Sequence, residues 1–218
     1  MRRERLQLAV HGLPAILCSS VTRSFSPCSP ARSKFRRSGL SGCTSAKWTA
    51  FAVRCISETA KRRNGNDITR RFSTIRPVLA EFPSRAAVVD AELIACGDNG
   101  LPDFGALLGR AEGVPLALWC FDLLSLDGVR LMALPFEYRK ARLADLVAAA
   151  DSEHIQYSGG FDDQVQLMAT IEKLGHEGIV SKRRDSAYRP GRTKDWLKTK
   201  THAWKMANTD RFEMLRGK

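Results

Sequence analysis

The sequence predicts an α+β domain in which largely antiparallel sheets surround a cleft. From residue 66 onward, strand-like and helix-like segments mix without the regular β-α-β alternation that would indicate a parallel sheet. Several apolar strand-like runs also carry charged residues at alternate positions, so that these charges share one face of a strand. Both observations favour a domain whose charged strand faces line a binding site.

Each predicted element has a local reason. The strands are apolar runs bounded by turn signals such as Asp98-Asn99-Gly100 and Leu126-Asp127-Gly128. Asp103 can cap one helix, and Gly175 can end another. We therefore expect strands at 86–95, 116–124, 155–158, 177–182 and 196–200, and helices at 103–112, 137–150 and 161–174.

The positive charge of the chain is concentrated near its N-terminus. Of the net charge of +12, residues 1–65 contribute +11, and no Asp or Glu occurs between Arg5 and Ser57. An organellar transit peptide, a basic arm that contacts nucleic acid, and a poorly ordered or non-native segment all fit this composition. We expect such a basic segment at 1–60, a folded domain at 61–200 and a truncated tail at 201–218.

The composition also argues against several classes of protein. The apolar run Leu6–Cys18 is too short and too interrupted to span a membrane. None of the six cysteines forms a CxxC pair, and no His lies at a zinc-finger interval. Cys96 and Cys120 lie within or beside apolar strand patterns and are expected to be buried. We expect a soluble intracellular protein without a disulfide framework.

Two strands carry polar or aromatic groups in unusual positions. Asp90 and Glu92 share one face of an apolar strand, where two carboxylates are costly to bury unless a cation or hydrogen-bond donors meet them. A solvated edge strand is the alternative. Phe121 precedes Asp122 in another apolar strand, where its ring either stacks on a purine or belongs to the core. These residues are candidates for a nucleotide site.

A third candidate lies between residues 177 and 200. Glu177 heads one strand, which ends near Lys182, and a basic Gly/Pro turn leads to a second strand with Lys198 and Lys200 on one face. Lysines and a carboxylate in one cleft suit a nucleoside triphosphate and its metal ion. A solvated charged hairpin is the alternative.

Together, these segments resemble the adenylation domain of ATP-dependent DNA ligases, in particular the ligase module of bacterial end-joining ligases. The resemblance covers about residues 62–200 and implies a nucleotidyltransferase fold, ATP-grasp-like, with antiparallel sheets around an ATP cleft. The matching segments are Arg63-Asn64-Gly65 (motif Ia), Val89–Leu93 (motif III), Phe121–Leu124 (motif IIIa), Glu177–Lys182 (motif IV), Ser186–Arg192 and Asp195–Lys200 (motif V).

The resemblance implies a reaction that begins with a lysine. In this family, a motif I lysine attacks the α-phosphate of ATP and forms a lysyl-AMP, and the AMP then passes to the 5′-phosphate of a DNA nick. Lys47 is the residue that aligns with this nucleophile. Family members often read K-aromatic-D-G-F there, whereas this chain has Thr49 and Ala50 in place of Asp and Gly.

The resemblance also implies roles for the remaining candidates. Glu92 and Glu177 would hold Mg²⁺, and Phe121 would stack on adenine. Lys198 and Lys200 would neutralise the α-phosphate. Three further cationic residues would bind the nucleotide: Arg63, Lys182 and Arg192. Of these, Arg63 would contact the ribose.

Two functions follow from these observations. One is an ATP-dependent DNA ligase that seals nicks in DNA repair and recombination, and the other is an inactive, degenerate ligase fragment that binds ATP or DNA. RNA ligases and mRNA-capping enzymes share the lysyl-nucleotide chemistry, but the FDLL…DG and YRPGRTKDWLK segments favour a DNA ligase. The altered motif I, and a C-terminal segment that does not continue into an oligonucleotide-binding fold, keep the second function open.

The expected partner is nicked double-stranded DNA, held through its phosphates by the basic segment and by Arg183-Arg184. We also expect a monomer, with other end-joining repair proteins as further partners. By resemblance to bacterial ligases, the location is the bacterial cytoplasm. A transit peptide at the N-terminus would instead place the protein in an organelle.

Overall fold

The computed structural model describes residues 42–47, 51–56, 59–62, 65–95, 104–109, 115–191 and 193–208. In these residues, two sheets and their helices confirm the expected α+β class. The strands are β1 Gly42–Lys47, β2 Phe51–Ile56, β3 Thr59–Arg62, β4 Ala87–Ala95, β5 Leu116–Leu126, β6 Val129–Arg130, β7 Ile155–Tyr157, β8 Gly178–Arg183 and β9 Trp196–Lys200. The helices are α1 Ile75–Ala80, α2 Phe104–Gly109, α3 Phe136–Ala150, α4 Gln164–Lys173 and α5 His202–Ala207.

The larger sheet contains six strands and carries the main core. Its order is β3-β2-β4-β5-β6, and β7 lies parallel to β5 while all other pairs are antiparallel. Alternate residues of β4, namely Val89, Ala91 and Leu93, are fully buried on one face, against apolar side chains of α1, α2 and α3. Asp90 and Glu92 therefore lie on the opposite face.

The smaller sheet has the order β1-β8-β9 and is antiparallel throughout. Leu167 and Ile171 of α4 pack against Ile179 of β8 and form a second apolar cluster. The Asp163 carboxylate caps α4 by accepting the Gln166 N–H at 2.9 Å. The hairpin-like pair of charged strands expected from the sequence is confirmed.

The two sheets are joined by a short chain connection and by backbone hydrogen bonds. Only residues 48–50 separate β1 of the smaller sheet from β2 of the larger sheet. The segment after β8 is hydrogen-bonded to the start of α3, because the Glu137 N–H donates to the Arg184 carbonyl at 2.9 Å. The Tyr188 N–H likewise donates to the Met132 carbonyl at 2.7 Å. These links hold the charged strands of the smaller sheet against the larger one.

Several elements differ from the sequence prediction at their ends. Helix α4 begins at Gln164 rather than at residue 161, because Asp163 is extended and acts as its cap. Helix α2 covers Phe104–Gly109, and the predicted remainder, residues 103 and 110–112, lies outside the described residues. The sequence prediction missed α1, α5, β1–β3 and β6.

The predicted domain boundaries at 60 and 200 stay predictions. The strands β1 and β2 lie before the first boundary, α5 lies after the second, and residues 1–41 lie outside the described residues. No helix in the described part of the chain is long and apolar enough to cross a membrane.

Candidate active site

A β-bulge places Phe121 between the two sheets. Asp90 of β4 pairs with Asp122, whereas the next residue, Ala91, pairs with Cys120, so that Phe121 is the extra residue of β5. Bulges of this kind bend a strand locally and re-aim a side chain. The Phe121 ring faces the smaller sheet, where the Lys182 ammonium lies 4.6 Å from its centre. The predicted stacking residue thus lies where both sheets meet.

Lys182 is surrounded by aromatic rings. Besides the Phe121 contact, its Nζ lies 4.8 Å from the ring centre of Phe136 and 4.3 Å from that of Trp196. The side chain is only 4% exposed. Such cation–π contacts stabilise a desolvated ammonium group. Lys182 therefore lies at the base of the cleft between the sheets.

The carboxylate and one lysine of the charged strand pair are in direct contact. Lys200 Nζ forms an ion pair with Glu177 Oε1, and the same ammonium lies 3.8 Å from the ring centre of Trp204 on α5. Glu177 is 8% exposed, whereas Lys198 is exposed. Lys198 and Lys200 share one face of β9, as the sequence predicts. This edge of the cleft combines a buried carboxylate with two cationic side chains.

Gly178 allows the close approach of β9 to the carboxylate. A Cβ atom at this position would lie 2.2 Å from the Thr199 carbonyl oxygen and 2.9 Å from Lys200 Cα. Both are backbone atoms, which side-chain rearrangement cannot move away. A glycine after Glu177 is therefore required by packing.

The register of the smaller sheet places Lys47 beside these residues. Lys47 pairs with Gly178 across β1 and β8, and Gly178 pairs with Lys200 across β8 and β9. Since neighbouring strands lie about 4.8 Å apart, the Cα atoms of Lys47 and Lys200 are separated by about 10 Å. The backbone of the predicted nucleophile thus lies next to the Glu177–Lys200 pair, while its side chain lies outside the described residues.

Glu92 lies on the larger sheet. It is half-buried on β4, opposite Ala52 on one side and Trp119 on the other. The described residues contain no group of three or more His, Cys, Asp or Glu side chains that could hold a metal ion. A divalent ion here would depend on one or two carboxylates together with phosphate oxygens, which is the ligand set that Mg²⁺ accepts. Arg63 and Arg192 lie outside the described residues.

A buried ion pair below the site was missed in the sequence prediction. Arg139 of α3 donates from Nε and Nη2 to the two carboxylate oxygens of Asp122, at 2.8 and 2.9 Å, and both side chains are fully buried. Its Nη1 also donates to the Ser186 carbonyl at 3.1 Å. A carboxylate in an apolar strand demands a cationic partner. The sequence contained that signal, but it did not single out Arg139 among the basic residues of α3.

A second buried group links Tyr188 to the larger sheet. The Tyr188 hydroxyl donates to Asp90 Oδ2 at 3.3 Å and accepts from Arg54 Nη2 at 3.3 Å. Asp90 is fully buried and Tyr188 is 7% exposed. The Tyr188 ring packs edge-on against Trp196, with 5.3 Å between ring centres. Nothing in the sequence pattern alone joins these distant positions.

The two arginines expected to contact DNA are both paired with carboxylates. Arg183 contacts Asp185 at 2.6 Å and Asp195 at 3.3 Å, and Arg184 forms an ion pair with Asp162. They therefore also stabilise the turn after β8.

Burial controls the chemistry of the two described cysteines. Desolvation raises the pKa of the Cys120 thiol to about 12, and it raises the pKa of Cys55 well above its ordinary value. Both side chains belong to the main core. The predicted burial of Cys120 is confirmed, whereas Cys96 lies outside the described residues.

The fold and the site define a class of protein. Residues 59–200 match the model of the ATP dependent DNA ligase domain, and the chain belongs to this family. The resemblance noted from the motifs is confirmed.

Individual relatives narrow this assignment. The chain is 37% identical over 144 residues to the multifunctional non-homologous end joining protein LigD of Pseudomonas aeruginosa, covering 63% of this chain and 17% of that protein. It is 35% identical over 156 residues to a DNA ligase of Thermococcus fumicolans, covering 63% of this chain and 28% of that protein.

Solved structures of DNA ligases share the fold of this chain. The ligase domain of Mycobacterium tuberculosis LigD superposes with a TM-score of 0.65 at 27% identity, covering 74% of this chain and 55% of that chain. A mycobacterial DNA ligase D in complex with ATP and MES gives a TM-score of 0.63 at 28% identity, covering 74% of this chain and 56% of that chain. The chain therefore spans about half of these ligase structures and under a third of the curated relatives.

Proposed function

We propose that this chain carries out the adenylation step of an ATP-dependent DNA ligase, with Lys47 as the nucleophile. The observation that carries the proposal is the register of the smaller sheet, which sets Lys47, Gly178 and Lys200 side by side next to Glu177. Cationic neighbours lower the pKa of a lysine and so make its amine available for attack.

In the proposed reaction, Lys47 Nζ attacks the α-phosphorus of ATP. A bond forms between nitrogen and phosphorus, the bond from the α-phosphorus to the bridging oxygen breaks, pyrophosphate leaves, and the amine loses a proton. Lys198 and Lys200 offset the negative charge on the α-phosphate oxygens. Phe121 stacks on the adenine, Arg63 contacts the ribose, and Lys182 and Arg192 support the nucleotide. The AMP then passes to the 5′-phosphate of a nick, and the 3′-hydroxyl displaces it.

The carboxylates Glu92 and Glu177 are the proposed holders of Mg²⁺. When bound, Mg²⁺ would neutralise phosphate charge, and the ligand set at this cleft suits an ion that retains several water ligands. Lys200, which contacts Glu177, would supply positive charge to the phosphate oxygens beside the ion.

The proposed substrate is nicked double-stranded DNA, bound without sequence specificity through its phosphates. Bacterial relatives from Pseudomonas, Mycobacterium and Mycolicibacterium are named for non-homologous end joining. By analogy we propose a monomer that works in end-joining repair in the bacterial cytoplasm.

Self-adenylation tests the proposal. The full chain is incubated with α-³²P-labelled ATP and Mg²⁺, and covalent label is measured after denaturation. We expect label on the wild type and on Lys173→Ala, an exposed control on α4, and none on Lys47→Ala. Label on all three would place the nucleophile elsewhere. Absence of label from the wild type would contradict adenylation by this chain.

A further inference from the structure

We infer that Tyr188 is a positioning residue that fixes the strand carrying Glu92 relative to the strand carrying Lys198 and Lys200. The inference rests on the proposed function, because it concerns the geometry of the same site. Tyr188 lies in the segment between β8 and β9, outside both sheets. It nevertheless contacts strands of both, one through its hydroxyl group and one through its ring.

The hydroxyl end of Tyr188 contacts the larger sheet. It donates to Asp90 on β4 and accepts from Arg54 on β2, both at 3.3 Å, and Arg54 and Asp90 are directly paired in the strand register. Asp90 is fully buried, so that each hydrogen bond to its carboxylate offsets a desolvation cost. Glu92 lies two residues further along β4 on the same face, so the position of Asp90 determines the position of Glu92.

The ring end of Tyr188 contacts the smaller sheet. It packs edge-on against Trp196, the first residue of β9, with 5.3 Å between ring centres and 70° between ring planes. Lys198 and Lys200 follow on the same face of β9. The ring also lies 5.9 Å from the Arg139 guanidinium, which is itself held by Asp122. The ring therefore has a contact on each of two different elements.

One rigid side chain thus links β4, which carries the proposed metal carboxylate Glu92, to β9, which carries the proposed phosphate-binding lysines. The reaction requires both groups to contact the same triphosphate at once. A displacement of about 1 Å in such a site can cost about a hundredfold in rate. Adenine stacking on Phe121 does not depend on Tyr188 directly, so ATP affinity should change much less than the chemical step.

The test compares Tyr188→Phe with the wild type in single-turnover self-adenylation of the full chain. This substitution removes only the hydroxyl group and keeps the ring against Trp196. We expect the maximum rate constant of adenylation to fall about tenfold or more, with the half-saturating ATP concentration changed less than about twofold. Tyr138→Phe, at an exposed position of α3, is the matched control and should match the wild type.

A double-mutant cycle with Asp90→Asn separates positioning from general destabilisation. If the hydroxyl acts through Asp90, the double variant should be no slower than the slower single variant. Urea unfolding of each variant shows that the assays are made on folded protein.

The outcomes are distinct. An unchanged maximum rate constant for Tyr188→Phe, additive effects in the cycle, or a rise in the half-saturating ATP concentration alone would overturn the inference while leaving the proposed function intact. Absence of label from the wild type would overturn the proposed function and the inference with it.

Discussion

At the level of single residues, the site depends on positions where the packing leaves no room for a different residue. Gly178 is one example, because the backbone of β9 occupies the space that a Cβ atom would need. We expect Gly178→Ala to lower the free energy of unfolding by about 1–3 kcal/mol, the usual cost of overpacking. It should also reduce self-adenylation by shifting Lys200. Gly159→Ala, whose Cβ would meet nothing closer than 3.9 Å, should leave both quantities unchanged. Equal urea midpoints for the two variants would contradict this view.

The Asp122–Arg139 pair gives a second prediction at this level. Removing the guanidinium leaves a fully buried carboxylate without its ion partner, so Arg139→Met should cost about 3–5 kcal/mol in urea unfolding. The matched control is Arg142→Met on the same helix, whose exposed pair with Asp145 is 3.7 Å long. That variant should change stability by less than about 0.5 kcal/mol. A small effect at Arg139 would mean that the cleft base tolerates an unpaired charge.

The buried thiol of Cys120 predicts a pH dependence. Its pKa is raised to about 12 from an ordinary value of 9.0, so the unfolded chain ionises first as pH rises. The resulting stability is fully present below pH 9 and is lost between about pH 9 and 12, at up to about 1.4 kcal/mol per pH unit. Wild type and Cys120→Ala should therefore differ in the slope of unfolding free energy against pH above 9. Parallel slopes would show that the thiol is solvated.

At the level of elements, short hydrogen-bonded caps connect the site to its helices. Thr201 follows β9, donates to the His176 carbonyl at 2.9 Å and accepts the Trp204 N–H at 3.3 Å at the start of α5. We expect Thr201→Val to lower the free energy of unfolding by about 1–2 kcal/mol. It should also weaken the contact of Trp204 with Lys200.

The control for that prediction is Thr170→Val on α4. The Thr170 hydroxyl donates an exposed hydrogen bond to the Gln166 carbonyl. Its removal should change the free energy of unfolding by less than about 0.5 kcal/mol. Thermal unfolding measures the stability of both variants, and the KM for ATP measures the effect of each on nucleotide binding. If Thr201→Val changed neither stability nor KM, α5 would be independent of the cleft.

The elements also show what a sequence can reveal. Alternation along β4 predicted that Asp90 and Glu92 share a face, and the Asp127-Gly128 turn was recognisable because both residues take positive φ, 47° and 84°. The bulge at Phe121 was not predictable, because it depends on which residue of β4 opposes which residue of β5. Register is a property of two strands, and one strand does not encode it alone.

Contacts between residues far apart in the chain could not be predicted from the sequence for the same reason. Neither β1 beside β8 nor Tyr188 against Asp90 leaves a local pattern, since the partners lie more than 90 residues apart. Strand alternation and the motifs singled out Glu177, Lys198 and Lys200, whereas the contact of Lys200 with Trp204 and its pairing with Gly178 are seen only in the folded structure.

At the level of the whole molecule, the uneven charge predicts how DNA binding depends on salt. Changing Arg32, Lys34, Arg36 and Arg37 to Gln lowers the net charge from +12 to +8. If these residues contact phosphates, affinity for nicked duplex should fall, and the slope of log K against log salt should become shallower by about 0.9 for each lost contact. Fluorescence anisotropy at several salt concentrations measures this slope.

The control for that prediction is the adenylation activity of the same variant. Label from ATP should stay at the wild-type level, because these positions lie before β1 and outside the proposed nucleotide site. An unchanged salt slope would assign DNA binding to the folded domain instead.

The crossing of the chain between the sheets has a consequence for biosynthesis. Lys47 and its neighbour Gly178 are 131 positions apart, whereas the larger sheet is complete once Tyr157 has been added. During translation, the larger sheet can therefore assemble before β8 and β9, with which β1 forms the smaller sheet, have been synthesised. Because distant pairings close slowly and expose unpaired strand edges, β1 is the segment that a chaperone or an aggregating neighbour would meet first. We therefore expect the proposed nucleophile to reach its position beside Gly178 late in folding.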